Sequence, residues 1–279
     1  MRNLIRENPN WTSEQVQARL AQLIYTDSRR KRIEDAFRWV MKALRKYIEN
    51  QPENVFTAAE RQAILDRLAG ITLEMPPPDS VYSDAADLIT KNTVYYERTP
   101  QNTLRLRLGG AYLLNTTSWF NIVYTLSHEI AHAIAPCETN QAGITPKSYE
   151  KLLACFVSAG WVEPNRTECG PNEQISEVFA DWIAAGIVGL AIEEAGKNYS
   201  PDELASAAIN ATRDLCEQPQ SMERFNLNLH QSPKIRIGLI MGQNPVVRRA
   251  LKCHSAPPDR YCDFESVNLR AAVEELKNE

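Results

Sequence analysis

Through the first quarter of the chain, apolar side chains recur every three or four positions, the period of helices with one buried face. Thr12 and Gln15 can form a capping box, after which Val16, Leu20, Leu23 and Ile24 share a face. A longer helix from about Ser28 to Glu49 places Ile33, Phe37, Val40, Met41, Leu44 and Ile48 on its own stripe. Thr57 with Glu60 opens a third helix and Gly70 closes it. Pro76-Pro77-Pro78 cannot continue a helix and predicts a stiff connector. The chain is therefore expected to divide into a helical lead-in, residues 1–78, and a second unit, residues 79–279.

After the connector the period changes. Asn92 to Glu97 and Thr103 to Leu108 read as strands, the second alternating so that its leucines share one face and its arginines the other. Arg98 to Asn102, with Pro100, predicts the hairpin loop. Helical period returns from near Ser118 to Ala135, where Pro136 closes it, and again at Lys147–Ser158, Gln174–Ala195, Pro201–Glu217 and Lys234–Met241. The expected class is α+β, mainly helical with a small sheet. The longest apolar run, Trp182 to Ile192, has 11 residues flanked by Asp181 and Glu193. That is too short to span a bilayer, so it predicts a buried helix and no transmembrane segment.

Composition narrows the function classes. Lys and Arg number 31 against 35 Asp and Glu, a net charge of −4, without the basic surplus of a nucleic-acid binder. The run Arg29-Arg30-Lys31-Arg32 reads as a solvated helix start balanced by Glu34 and Asp35. The first 25 residues carry no basic-then-apolar targeting pattern. Six cysteines occur without a C-x-x-C pair, which argues against a zinc knuckle and leaves disulfides and buried thiols both open. Sequons at Asn10, Asn115, Asn165, Asn198 and Asn210 permit glycosylation without indicating it. The chain has only four histidines: His128, His132, His230 and His254.

Two of them stand in His128-Glu129-Ile130-Ala131-His132, inside an expected helix. Spacing of i and i+4 puts both imidazoles on one face, able to converge on a metal, with Glu129 beside them to take a proton. A zinc site of this kind needs a third protein ligand. Glu177 is the better candidate: with Asp181 it forms an i, i+4 pair of carboxylates in a strongly apolar helix, costly to bury unless a cation satisfies them. Glu150, 18 residues beyond His132, competes for the role. His230 and Arg236, flanking Ser232-Pro233, could stabilise an oxyanion and hold a substrate carbonyl.

In their order and spacing, His128-Glu129-x-x-His132, Glu177-x-x-x-Asp181 and His230-x-Ser232-Pro233-x-x-Arg236 resemble the neprilysin / endothelin-converting-enzyme family of zinc metallopeptidases. The resemblance extends over most of residues 30–265 and implies a thermolysin/neprilysin-like zincin catalytic domain. It implies one Zn2+ held by His128, His132 and Glu177, with Glu129 as general base and Asp181 behind His128. His230 would stabilise the oxyanion and Arg236 would bind a substrate carbonyl. Asn92 and Tyr95 loosely echo the family's substrate-anchoring strand. The implied reaction is hydrolysis of peptide bonds in a peptide or protein substrate. The contrasting possibility is a catalytically silent zinc-binding interaction module. Family members are more than twice as long, the remainder forming a lid, so an open cleft is expected, with a partner protein able to supply the cover. The resemblance also implies oxidised cysteines, with Cys169–Cys262 the expected pair, and an extracellular or periplasmic location.

Overall fold

The computed structural model describes residues 2–75, 94–99, 104–116, 118–216, 230–253 and 261–264. The proline connector, the boundary at 78/79, Asn92 and His254 lie outside them. After a short α1 (Arg2–Glu7), the lead-in forms α2 (Ser13–Ile24), α3 (Asp27–Glu49) and α4 (Ala58–Ala69). Both expected capping boxes, Thr12 with Gln15 and Thr57 with Glu60, are formed. The side chain of each first residue accepts an amide that the first helical turn cannot use itself.

Among the described residues the sheet has three strands in the order β1-β3-β2: β1 (Ile71–Glu74), β2 (Val94–Arg98) and β3 (Leu104–Leu108). The expected hairpin is the antiparallel pair, with Tyr96 opposite Leu106 and Glu97 opposite Arg105. The unexpected member is β1, parallel to β3, which begins directly after Gly70 ends α4. Strand β3 keeps its alternation: Leu104, Leu106 and Leu108 are buried, while Arg105 binds Glu74 at 2.7 Å and Glu97 at 3.0 Å across its neighbours. Arginine flanked by a carboxylate on each side fixes the register of both pairings.

The remaining helices are α5 (Gly110–Asn115), α6 (Trp119–His132), α7 (Pro136–Gln141), α8 (Lys147–Ser158), α9 (Ile175–Ala195), α10 (Pro201–Cys216), a π-helix (Lys234–Met241) and α11 (Pro245–Ala250). Pro136 thus opens a helix four residues after the previous one ends, a position that suits a residue with fixed φ and no N–H. Helix α9 is the axis of the molecule, packed on α6, α11 and the π-helix. It is long and apolar enough to cross a membrane by composition, yet almost all of it is buried within the protein. Gly189 lets α11 approach: a Cβ there would stand 2.8 Å from the Val247 amide nitrogen.

The cysteine pairing differs from the expectation. Cys137 bonds Cys169 and Cys155 bonds Cys262, so Cys169 and Cys262 belong to different bridges. The first joins α7 to the loop before α9, and the second joins α8 to the segment beneath Trp182, whose indole N–H donates to the Cys262 carbonyl at 2.8 Å.

Candidate metal centre

Helices α6 and α9 pack along their lengths, and the histidines of one meet the carboxylates of the other. The end of α6 is held from outside the helix. Arg67 of α4 donates to the Ala133 carbonyl at 2.7 Å, and the Tyr149 hydroxyl donates to that of Ile134 at 2.8 Å. Two carbonyls left without partners by the end of the helix are satisfied in this way, fixing the turn that carries His132.

His128 Nε2 and His132 Nε2 lie 3.3 Å apart, and Glu177 Oε2 is 3.2 Å from the first and 3.7 Å from the second. Ligands about 2.0–2.1 Å from a tetrahedral metal ion would be about 3.3 Å from one another, a spacing close to that of these three atoms. Glu177 Oε2 is buried among imidazole nitrogens and makes no well-directed hydrogen bond to any of them, as suits an atom positioned for a cation. His230 Nε2 lies 2.9 Å from the same oxygen, and its ring stacks on His128 at 5.7 Å. His128, Glu177 and His230 form a triad whose ligand atoms all lie within 4.8 Å of one another, so this His-Glu-His group could hold a metal ion. Glu150, by contrast, is exposed on α8, which removes it as a third ligand.

Behind the ligands stands Asp181. Its Oδ1 lies 2.9 Å from His128 Nδ1 and accepts the Tyr124 hydroxyl at 2.8 Å, while Arg236 makes a two-pronged contact with both oxygens. This contact directs His128 Nε2 toward Glu177. Arg236 is 3% exposed, brought in by the π-helix, and its Nη1 is buried without a hydrogen-bond partner. Tyr124 had no place in the motif reading, although it stands four residues before His128 on the same helix face.

Glu129 faces the sheet, where its Oε2 accepts the backbone N–H of Tyr96 at 3.0 Å. Among the described residues strand β2 ends the sheet on this side, and one of its main-chain donors orients the carboxylate. Tyr95 turns the other way, its ring lying under the Arg107 guanidinium at 5.9 Å. The tyrosine that lines the cleft is Tyr96, with its hydroxyl buried and no hydrogen-bond partner. The cleft has a volume of about 270 Å³ and is walled by His132, Glu138, Glu173, Glu177 and the Cys137–Cys169 disulfide. A separate apolar cavity lined by Tyr47, Trp182, Leu190 and Tyr261 contains none of these groups.

Electrostatics separates the neighbouring groups. Burial opposes charge on His128, but the Asp181 carboxylate, and after it Glu177, outweigh burial and raise the imidazole to about 10. Burial lowers His132 to about 4, leaving a neutral ring with a lone pair to donate. Burial would raise Glu177, yet the close approach of the His128 and His230 imidazoles holds it well below the usual carboxylate range. Burial pushes Glu129 up to about 7, outweighing the opposing pull of His128. A carboxyl group near neutrality beside a ligand set is suited to taking and returning a proton.

Against protein-family models, curated proteins and solved structures, the chain has no match.

Proposed function

We propose that the protein is a zinc-dependent metalloendopeptidase of neprilysin-like type, built on a thermolysin/neprilysin-like zincin fold. The observation that carries this reading is the convergence of His128, His132 and Glu177 with Glu129 on one side and the Asp181–Arg236 pair behind. His128, His132 and Glu177 would hold the ion, and zinc there would supply Lewis-acid polarisation of a peptide carbonyl and acidify a water molecule. Glu129, oriented by the Tyr96 amide, accepts the proton of the attacking water and delivers it to the leaving amine. His230, beside Glu177, donates to the oxygen that gains charge, and Arg236 Nη1 remains to donate to a substrate carbonyl.

The substrate is a peptide or protein segment lying in the cleft walled by Tyr96, His132, Glu173 and Glu177, where the scissile bond would face the ligand set. Two disulfides fit an oxidising environment, and we place the protein outside the cytoplasm on that ground. The test is zinc content and peptide cleavage in wild type and Glu129→Gln. Bound zinc in both, with cleavage in wild type alone, supports the peptidase. Bound zinc with no cleavage in either supports a silent interaction module, and no zinc in wild type overturns both.

A further inference from the structure

We propose that Gln231 is a positioning residue for His230, acting through the buried amide of Gln174; the proposal rests on the peptidase reading of the same site. His230 stands before the π-helix in a non-helical segment, and its side chain is 32% exposed. Its Nε2 nevertheless lies 2.9 Å from Glu177 Oε2. Stabilising charge that develops during a reaction requires a donor held to within about 0.5 Å, which a loop does not provide unaided. Downstream, Arg236 is anchored to Asp181, but that anchor is six residues away.

The nearer anchor is Gln231, 7% exposed, whose amide nitrogen donates to Gln174 Oε1 at 2.7 Å. Gln174 is 2% exposed and fixed from several directions. Its Oε1 also accepts the Glu163 N–H at 3.1 Å, its own N–H donates to the Arg166 carbonyl at 3.1 Å, and its carbonyl accepts the Val178 N–H in the first turn of α9. Gln174 and Glu177 are three residues apart, one turn along the same helix start. Two consecutive loop residues, His230 and Gln231, therefore reach the N-cap and the first turn of the helix that carries the ligand. Gln231 sets where His230 stands relative to Glu177.

A purely structural amide bridge would affect melting; a positioning bridge affects His230. Gln231→Leu and Gln231→Glu both remove the donated hydrogen bond, and using two variants guards against one failing to fold. Each is expected to lower kcat about tenfold with KM within about twofold, and to leave zinc stoichiometry unchanged. A double variant with His230→Ala is expected to be no slower than His230→Ala alone. Additive losses, or loss of zinc in both variants, would overturn the proposal. If the wild type cleaves no peptide, the peptidase reading fails and the clamp is judged by imidazole NMR of the zinc-loaded, 15N-histidine-labelled protein. The His230 signals should broaden or shift in both variants while those of His132 hold; an unmoved His230 spectrum would overturn it.

Discussion

Arg236 and Asp181 face each other with two hydrogen bonds, Nε to Oδ2 at 2.7 Å and Nη2 to Oδ1 at 2.8 Å, both side chains almost completely buried. The pair joins the π-helix to α9, and through Asp181 Oδ1 it also reaches His128 on α6. Removing one partner leaves a buried guanidinium without its counter-charge, a loss of about 3–5 kcal/mol. Asp181→Asn should therefore lower the thermal midpoint markedly and weaken zinc binding by about 10–100-fold, through the loss of orientation at His128. Calorimetry and chelator competition on the same variant measure the two effects separately.

On the proposed site, Glu177→Ala and His132→Ala each remove a zinc ligand. Zinc at about a hundredfold over its dissociation constant should then add about 2.7 kcal/mol to the stability of the wild type. In either variant the zinc-dependent rise in melting temperature should collapse, while Glu150→Ala keeps it, since that side chain is exposed on α8. Melting with and without zinc, at fixed protein concentration, distinguishes the variants.

Glu129 gives a pH dependence whose sign is fixed by burial. Its folded value, raised to about 7, lies above the ordinary value of 4.5, so the neutral form is the one favoured by folding. The associated stability is full below about pH 4.5 and is lost as pH rises through 7. In metal-stripped protein, Glu129→Gln should thus be more stable than wild type at pH 8, by about 3 kcal/mol, and equal to it at pH 4. Equal melting of the two proteins at both pH values would refute the assignment.

What could be read without coordinates was what obeys a local period. The Val16–Ile24 and Ile33–Ile48 stripes, the two capping boxes and the alternation of Leu104 to Leu108 each follow from a few neighbouring residues, and each is present, except that Leu23 of the first stripe is exposed. The i, i+4 spacings of His128 with His132 and Glu177 with Asp181 likewise put paired groups on single helix faces. Long-range choices were not legible. Strand β1 has four residues and pairs across more than thirty positions; no local pattern marks such a partner. Tyr124 was invisible because a tyrosine on an apolar helix face reads as core, and only the arrival of Asp181 from α9 gives its hydroxyl a role. The Tyr96 amide is a backbone donor, which side-chain motifs do not encode. Disulfide connectivity depends on which helix ends meet, and α7 meets the loop before α9 rather than the segment around Cys262.

The two bridges should separate stability from activity. Cys155–Cys262 closes a loop of 107 residues and Cys137–Cys169 one of 32. On chain entropy alone these are worth roughly 5 and 4 kcal/mol, so Cys155→Ser with Cys262→Ser should cost about 1 kcal/mol more stability than the other pair. Their positions predict the opposite order for catalysis. Cys137 and Cys169 wall the cleft, and Cys169 anchors the loop that leads through Gln174 into the helix carrying Glu177. Cys155–Cys262 lies beneath Trp182, with neither cysteine in that wall. At a temperature where both double-serine variants are folded, the Cys137/Cys169 variant should show the larger fall in kcat/KM and the smaller fall in melting temperature. The same rank order in both measurements would show that the cleft wall acts on the reaction only through global stability.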